Sequence, residues 1–133
     1  MSAPGNECFS YERLRVWQKA VDFAKLVYQV TESFPRDEVF GLTSQMRRAS
    51  VSVAANIAEG SSRSTGKDRA RFVEIAYGSL CEMATLFHIA NGQDLVTQEE
   101  LDAARTDIAE MCRMLSGLKR ATLEGGDPPI SKR

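Results

Sequence analysis

The sequence predicts an all-α protein, an antiparallel up-down-up-down four-helix bundle. Three observations predict it. Apolar residues recur at three- and four-residue steps in four separate segments, and the connections between those segments are short. No segment alternates apolar and polar residues in the way that is typical of a strand. Four helices of about 20–25 residues, each about 30–37 Å long, would run antiparallel because their connections are short.

The first helix is expected over residues 14–34 and the second over residues 41–61. The first has an apolar stripe of six residues: Trp17, Ala20, Val21, Ala24, Val27 and Tyr28. Pro35 ends this helix because proline disfavours a helical conformation in the residue before it. Gly60 and the Ser- and Gly-rich residues 61–66 end the second helix.

The third helix is expected over residues 67–91, with Thr65 as its N-cap and Asp68 three residues later. The fourth helix has the clearest start, because Thr97 and Glu100 have the spacing of a capping box. Its apolar residues follow 3-4-3-4-3 steps, which suit packing at a shallow angle: Leu101, Ala104, Ile108, Met111, Leu115 and Leu118.

Length and composition predict one folded domain. A chain of 133 residues is typical of a single domain, and 43% hydrophobic against 26% charged residues excludes wholesale disorder. The expected organisation is a flexible N-terminal segment at residues 1–12, the bundle at residues 13–122 and a flexible C-terminal tail at residues 123–133.

The sequence also bears on location. Its longest stretches without a charged side chain, residues 49–58 and 83–93, are far shorter than the ~20 residues that a membrane span needs. The first ten residues are polar and do not resemble a signal peptide. We therefore expect a cytoplasmic protein with no membrane partner.

Residues typical of catalysis or metal binding are scarce. Nucleotide-binding glycine motifs and the H-E-x-x-H zinc motif are absent from the sequence. His88 is the single histidine, and the three cysteines form no C-x-x-C pair. Cys81 and Cys112 are interpreted as buried thiols. We expect no cofactor, no metal and no enzyme activity.

The second helix has two separate apolar bands. Met46, Ala49, Val53 and Ile57 form an ordinary core stripe, whereas Val51, Ala54 and Ala58 form a second band. A helix that is apolar on two sides is normally buried on two sides. The second band therefore predicts an oligomer interface, while the alternative is a solvated face whose alanines only favour helix formation.

A polar ridge separates these bands. It steps by three and four residues through Gln45, Arg48, Ser52, Asn56, Glu59 and Arg63. Two interpretations stay open for the ridge: a buried hydrogen-bonded network, or a solvated strip with no further role.

Basic residues are concentrated in residues 45–71. Six of them lie there against only two acidic residues, Glu59 and Asp68, so this segment has a net charge of +4 in a chain of net charge −1. The six are Arg47, Arg48, Arg63, Lys67, Arg69 and Arg71. They predict an anion- or nucleic-acid-binding patch, for RNA or DNA. The alternative is a solvated helix start with local ion pairs.

Several ordered motifs make the sequence recognisable. They are VWQKA at residues 16–20, Phe34-Pro35, GLTSQMRRA at residues 41–49, ANIAEG at residues 55–60 and IAYGSL at residues 75–80. Together they resemble the four-helix-bundle family that includes proteins encoded in intervening sequences of bacterial 23S ribosomal RNA genes. The resemblance covers residues 14–118.

The resemblance implies a ring-like homopentamer without an established catalytic role. The related accessory variability determinant of diversity-generating retroelements uses such a pentamer to bind nucleic acid and a reverse transcriptase. This sequence departs from the pattern at Ala54, where many relatives have proline, and in its net charge of −1, because the retroelement proteins are strongly basic.

Two functions stay open for a non-enzymatic homo-oligomer of this kind. The first is an RNA-binding accessory factor, and the second is a structural or protein-interaction module that binds no nucleic acid. The resemblance favours five subunits, whereas the residues themselves allow a dimer to a hexamer.

Overall fold

Four long helices make up most of the protein. The computed structural model describes residues 9–125, and it has α1 at Arg15–Thr31, α2 at Ser44–Ser61, α3 at Gly66–Gly92 and α4 at Gln98–Glu124. Each helix packs against the next, and α4 closes the bundle against α1. The predicted all-α, four-helix fold is confirmed. Within residues 9–125, no helix is long and apolar enough to span a membrane.

The starts of α3 and α4 follow the capping residues predicted from the sequence. The Thr65 hydroxyl accepts a hydrogen bond from the Asp68 amide at 3.1 Å. At α4, the Thr97 hydroxyl accepts from the Glu100 amide at 3.0 Å, and the Glu100 carboxylate accepts from the Thr97 amide at 2.8 Å. These bonds satisfy amides that a helix start leaves without partners, so both predicted caps are confirmed.

The described residues include the inner parts of both expected tails. The N-terminal segment expected to be flexible contains a 3-10 turn at Ser10–Arg13, held by the Phe9 amide donating to the Glu12 carboxylate at 2.6 Å. At the other end, α4 continues two residues beyond 122 and stops at Gly125, whose positive φ of 75° suits glycine. The remaining parts of both predicted tails, residues 1–8 and 126–133, lie outside the described residues.

A wide helical turn, Val39–Thr43, precedes α2, so that α2 starts three residues later than predicted. Gly41 breaks the regular geometry with φ −109° and ψ −116°. The Glu38 carboxylate accepts a hydrogen bond from the Leu42 amide at 3.1 Å. Glu38 therefore caps the wide turn Val39–Thr43, in which the chain changes direction before the regular helix α2 begins.

The core confirms the stripes predicted for α2 and α4 and corrects the one predicted for α1. All the predicted core residues of α2 and α4 are buried. In α1 the buried residues are Val16, Ala20, Phe23, Val27 and Thr31. Trp17, Val21, Ala24 and Tyr28 were predicted on the same stripe, but they are half-buried or exposed on an adjacent face. The stripe divides between two faces because α1, like α2, is apolar over more of its circumference than one core contact can cover.

Close approach of α2 and α3 depends on Gly60. A Cβ atom at this position would lie 2.9 Å from the Phe72 Cβ and 3.3 Å from the Arg69 carbonyl oxygen. The first distance is shorter than side-chain contacts normally allow, and one of the two neighbours is backbone that cannot rotate away. The bare glycine therefore sets how tightly the end of α2 meets the start of α3.

Charged side chains join α1 to α4. The Lys19 ammonium lies 3.3 Å from both the Asp107 and the Glu110 carboxylates. Partial burial alone would lower the pKa of Lys19, but hydrogen bonds to Glu110 and Asp107 outweigh it and raise the pKa above its usual value. Lys19 is therefore charged throughout the physiological range and helps to hold the two helices together.

We expect Gly60→Ala to destabilise the protein by about 1–3 kcal/mol, because the added methyl group meets a filled contact between α2 and α3. The matched control is Gly117→Ala in α4, where an added Cβ would meet no atom within 4 Å. That change should be neutral or stabilise by up to ~1 kcal/mol through helix propensity. Urea unfolding at one protein concentration measures both. Equal effects of the two substitutions would show that Gly60 is not a packing requirement.

Candidate functional site

An apolar groove of about 530 Å³ runs between the outer faces of α1 and α2. Its α2 side contains the predicted second band, and Val51 is 47% exposed there. Lys25 is the one charged side chain that lines it. The full lining, which defines the apolar groove below, is Tyr11, Trp17, Val21, Ala24, Lys25, Tyr28, Val51, Ala54, Ala55 and Ala58. The residues predicted as an oligomer interface thus share one concave surface.

Half of the apolar groove was not predicted. Trp17, Val21, Ala24 and Tyr28 of α1 face the α2 band across it, at steps of four, three and four residues. Tyr11 closes one end, with its ring packed edge-on against Trp17 at 5.2 Å between centroids. The signal was present in the apolar periodicity of the first helix, but periodicity cannot distinguish a core face from an exposed apolar face.

The polar ridge divides into two environments. In its middle, the Ser52 and Ser79 hydroxyls are hydrogen-bonded at 2.9 Å, which links α2 to α3. The Asn56 amide nitrogen donates to the Ser52 carbonyl at 2.8 Å and to its hydroxyl at 3.0 Å. These side chains are half-buried or partly exposed, whereas Arg48 and Glu59 extend toward solvent near the two ends. The two interpretations of the ridge each describe part of it: a hydrogen-bonded centre between solvated ends.

Arg47 is tied to the end of α1. Its Nε donates to the Thr31 hydroxyl at 2.9 Å, and its Nη2 donates to the Tyr28 carbonyl at 3.4 Å. The guanidinium also lies 4.6 Å from the centroid of the Tyr28 ring. A cation at this position complements the negative end of the α1 dipole. These contacts explain Arg47 as a side chain that joins α2 to α1.

The six predicted basic residues do not form one patch. Arg47 and Arg48 lie at the start of α2, whereas Arg63 follows its end. Fifteen residues at ~1.5 Å each separate Arg48 from Arg63, so the two groups are about 22 Å apart. Arg48 is exposed and donates to the Ser44 hydroxyl at 3.1 Å. The remaining four lie around the α2–α3 turn and define the basic cluster: Arg63, Lys67, Arg69 and Arg71.

Aromatic and backbone contacts order the basic cluster. The Arg63 and Arg71 guanidinium groups lie 4.5 and 5.9 Å from the centroid of the Phe72 ring. Arg63 also forms an ion pair with Glu59, one helical turn earlier. The Arg69 Nε donates to the Arg63 carbonyl at 2.8 Å. Ring and backbone contacts therefore hold these three arginines at the α2–α3 turn.

The two ends of the bundle differ in charge. Arg13 lines one pocket together with Arg69, and Gly66 at the start of α3 lies against Thr122 near the end of α4, so Arg13 and Arg120 lie at the same end as the basic cluster. Four acidic residues are also at this end, fewer than the basic ones: Glu12, Glu59, Asp68 and Glu124. The opposite end, where α2 and α4 begin and α3 ends, carries Arg47 and Arg48 but a larger number of acidic side chains, among them Asp94, Glu99, Glu100 and Asp102. Such a separation of charge favours anions at the basic end even though the whole chain has a net charge of −1.

The two cysteines within residues 9–125 differ in exposure. Cys81 was predicted to be buried but is exposed, and Cys112 is half-buried. Burial, followed by the nearby Cys81, raises the pKa of Cys112, which disfavours the thiolate that a nucleophile needs. Within residues 9–125, no group of three or more His, Cys, Asp and Glu side chains is placed to hold a metal ion.

Comparison with protein families decides the relationship. The family model described as 23S rRNA-intervening sequence protein matches residues 12–117. This range covers most of the chain and, among the described residues, every buried hydrophobic core residue except Leu118. The chain belongs to this family. The resemblance seen in the motifs of residues 16–80 is therefore confirmed.

Solved structures support the same fold. A crystal structure of a protein of unknown function from the S23 ribosomal protein family of Bacteroides thetaiotaomicron VPI-5482 is similar, with a TM-score of 0.73. The two are 20% identical, and the similarity covers 79% of this chain and 95% of the other. At this identity the likeness establishes the fold alone. No curated protein matches the sequence.

The contacts of Arg47 generate a stability prediction. We expect Arg47→Ala to lower the free energy of unfolding by about 1–2 kcal/mol, because it removes two hydrogen bonds and a cation–π contact at the end of α1. Its neighbour Arg48 is the control, and Arg48→Ala should change stability by less than ~0.5 kcal/mol. Urea unfolding of both variants at equal protein concentration makes the comparison. An Arg48→Ala destabilisation as large as that of Arg47→Ala would contradict this assignment.

Proposed function

We propose that this family member is a non-enzymatic, oligomeric binding protein that contacts RNA through its basic cluster. The arrangement that carries the proposal is the separation of two surfaces. Copies of the chain assemble along the apolar groove on one side of the bundle, whereas the basic cluster lies at one end and outside this groove, because none of its residues lines the groove. A cytoplasmic location goes with this proposal, since free thiols suit a reducing compartment.

The apolar groove is the assembly surface in this proposal. Aromatic rings, valines and alanines form nearly all of its lining, and small residues on α2 allow a neighbouring helix to approach closely. In a single chain this surface is in contact with water. Burying it against another copy would stabilise the assembly by about 25 cal/mol per Å² of apolar area removed from water. Five subunits in a ring are favoured by what the family resemblance implies, and a ring requires this surface to meet a different one on the next copy.

We expect Val51→Glu to dissociate the oligomer, because a carboxylate in the middle of the groove would be buried without a partner on assembly. Ile89→Glu in α3 is the matched control, since Ile89 and Val51 are both 47% exposed. Light scattering should report an oligomer for the wild type and the control, and a mass near 14.7 kDa for Val51→Glu. An oligomer of unchanged mass in Val51→Glu would place the interface elsewhere, and a monomeric wild type would remove the assembly from the proposal.

The basic cluster is the RNA-contacting surface in this proposal. Lys67 lies in the first turn of α3, where a cation is unfavourable for the helix dipole, so its position does not serve stability. Arg63 and Arg71 flank one aromatic ring, an arrangement that presents planar cations in a defined orientation. In a symmetric oligomer the cluster is repeated, so weak contacts from single subunits add up through multivalency.

We expect the triple variant Lys67→Gln, Arg69→Gln, Arg71→Gln to weaken binding of a fluorescein-labelled single-stranded RNA. The slope of log affinity against log salt should decrease by about 2, because each phosphate that a cation neutralises adds ~0.7 to it. A control with the same change of charge is Arg36→Gln, Arg105→Gln, Arg113→Gln, which leaves the basic cluster intact. Fluorescence anisotropy across a salt series measures the slopes. Equal weakening in both variants, or no RNA binding by the wild type at ~50 mM salt, would contradict the proposal.

The second candidate, a protein-interaction module, is favoured by a different observation. In the turn before α2, Phe40 is 95% exposed and the adjacent Val39 is 46% exposed. An isolated aromatic side chain in water is typical of a contact that a partner completes. The RNA titration distinguishes the two candidates, because a protein-interaction module would retain no nucleic acid at low salt.

A further inference from the structure

A pocket of about 320 Å³ opens at the basic end of the bundle. The end of α2, the start of α3, the end of α4 and the N-terminal 3-10 turn converge on it. This end pocket has no lining residue in common with the apolar groove. Its volume lies at the lower end of the range for small-molecule sites, which is about 300–1,000 Å³.

The inner wall of the end pocket is apolar. Leu14, Ile57, Val73 and Leu118 line it, and all four belong to the buried core with exposures of 2–6%. One comes from the start of the chain and one from each of α2, α3 and α4. The wall is therefore held by the packing of the whole bundle and does not depend on a single loop, which makes it a preformed site for an apolar group.

Two arginines at the end pocket have no acidic partner among residues 9–125. Arg13 and Arg69 both line it. Within residues 9–125 neither forms an ion pair, and the one side-chain hydrogen bond that they make is from the Arg69 Nε to the Arg63 carbonyl at 2.8 Å. Two neighbouring acids are engaged elsewhere, since Glu12 accepts from the Phe9 amide and Glu59 pairs with Arg63. Asp68 and Glu124 are also close in sequence to the lining residues, but within residues 9–125 neither forms an ion pair with Arg13 or Arg69. The Arg69 Nη groups and the Arg13 guanidinium are thus available to an anion.

We propose that the end pocket binds a small organic carboxylate with an apolar body. The carboxylate would accept charge-assisted hydrogen bonds from Arg13 and Arg69, whose planar guanidinium groups match its geometry. The apolar body would lie against Leu14, Ile57, Val73 and Leu118. A ligand with only a charge would leave that wall in contact with water, and one with only an apolar body would leave the arginines unneutralised. The shape and charge of the site together select a molecule with both parts.

Octanoate is a suitable probe, and isothermal titration calorimetry with the full chain measures its binding. We expect octanoate to bind at least about tenfold more tightly than octanol. A difference of this size corresponds to one charge-assisted hydrogen bond, which the carboxylate can form and the neutral alcohol cannot. Arg13→Gln should weaken octanoate binding by a similar factor, and Arg13→Lys should recover part of it. Arg15→Gln is the matched control, because Arg15 is also exposed but does not line the end pocket. Equal binding of octanol, or equal weakening in Arg13→Gln and Arg15→Gln, would overturn the proposal.

The position of the probe must also be measured, because octanoate could instead enter the apolar groove. Methyl NMR distinguishes the two surfaces in the wild type. Shifts of Ile57, Val73 and Leu118 would support the end pocket, and shifts of Val21 and Val51 alone would overturn it.

A segment of the chain itself is the remaining competitor for the pocket. Residues 126–133 follow Gly125 at its rim and contain one large apolar residue, Ile130. Binding of octanoate only to the full-length Ile130→Asp variant would assign the pocket to that segment and contradict the proposal. Arg69 belongs to both the basic cluster and the end pocket. The octanoate experiments change Arg13, Arg15 and Ile130 but not Arg69, so their outcome can be read separately from the outcome for RNA.

Discussion

The proposed organisation of this molecule depends on one constraint, an apolar face that no helix within residues 9–125 covers. α2 buries one face in the core and exposes another, and α1 does the same beside it, so the two exposed faces form one groove. Val51 and Tyr28 each remain nearly half exposed there. Because exposed apolar surface is unfavourable in water, a second copy of the chain covers this groove in the proposed organisation. Assembly would then complete the burial that the four helices begin.

The antiparallel topology determines what stays available after assembly. It brings the start of α1, the α2–α3 turn and the end of α4 to one end of the bundle, although these segments are far apart in the sequence. Arg13, Arg69 and Arg120 are gathered at one end in this way, while acidic side chains collect at the start of α4. A chain with almost no net charge thereby has a basic end. In the proposed organisation the sides of the bundle serve association, and this end serves anions.

Sequence patterns predicted the features that depend on contacts between residues close together in the chain. Thr97 and Glu100 cap α4 as expected, because the capping box is a contact between residues three apart. The face of α1 was predicted less well, since Trp17 and Phe23 are equally apolar and only the tertiary packing decides which of them is buried. Arg47 and Arg48 are adjacent and identical in charge, yet only Arg47 reaches α1. The end pocket depends on separate chain segments meeting, which no spacing within one helix reveals.

Acrylamide quenching of Trp17 fluorescence is the most direct measurement of whether another copy covers the groove. Trp17 is the single tryptophan of the chain, and it lines the apolar groove between α1 and α2. If a second copy covers the groove, quenching at micromolar concentration will be clearly weaker in the wild type than in Val51→Glu. At concentrations low enough to separate the subunits, the quenching of wild-type Trp17 will rise toward that of the variant. Identical quenching of the two proteins at every concentration would contradict the claim that this surface is where the chains meet.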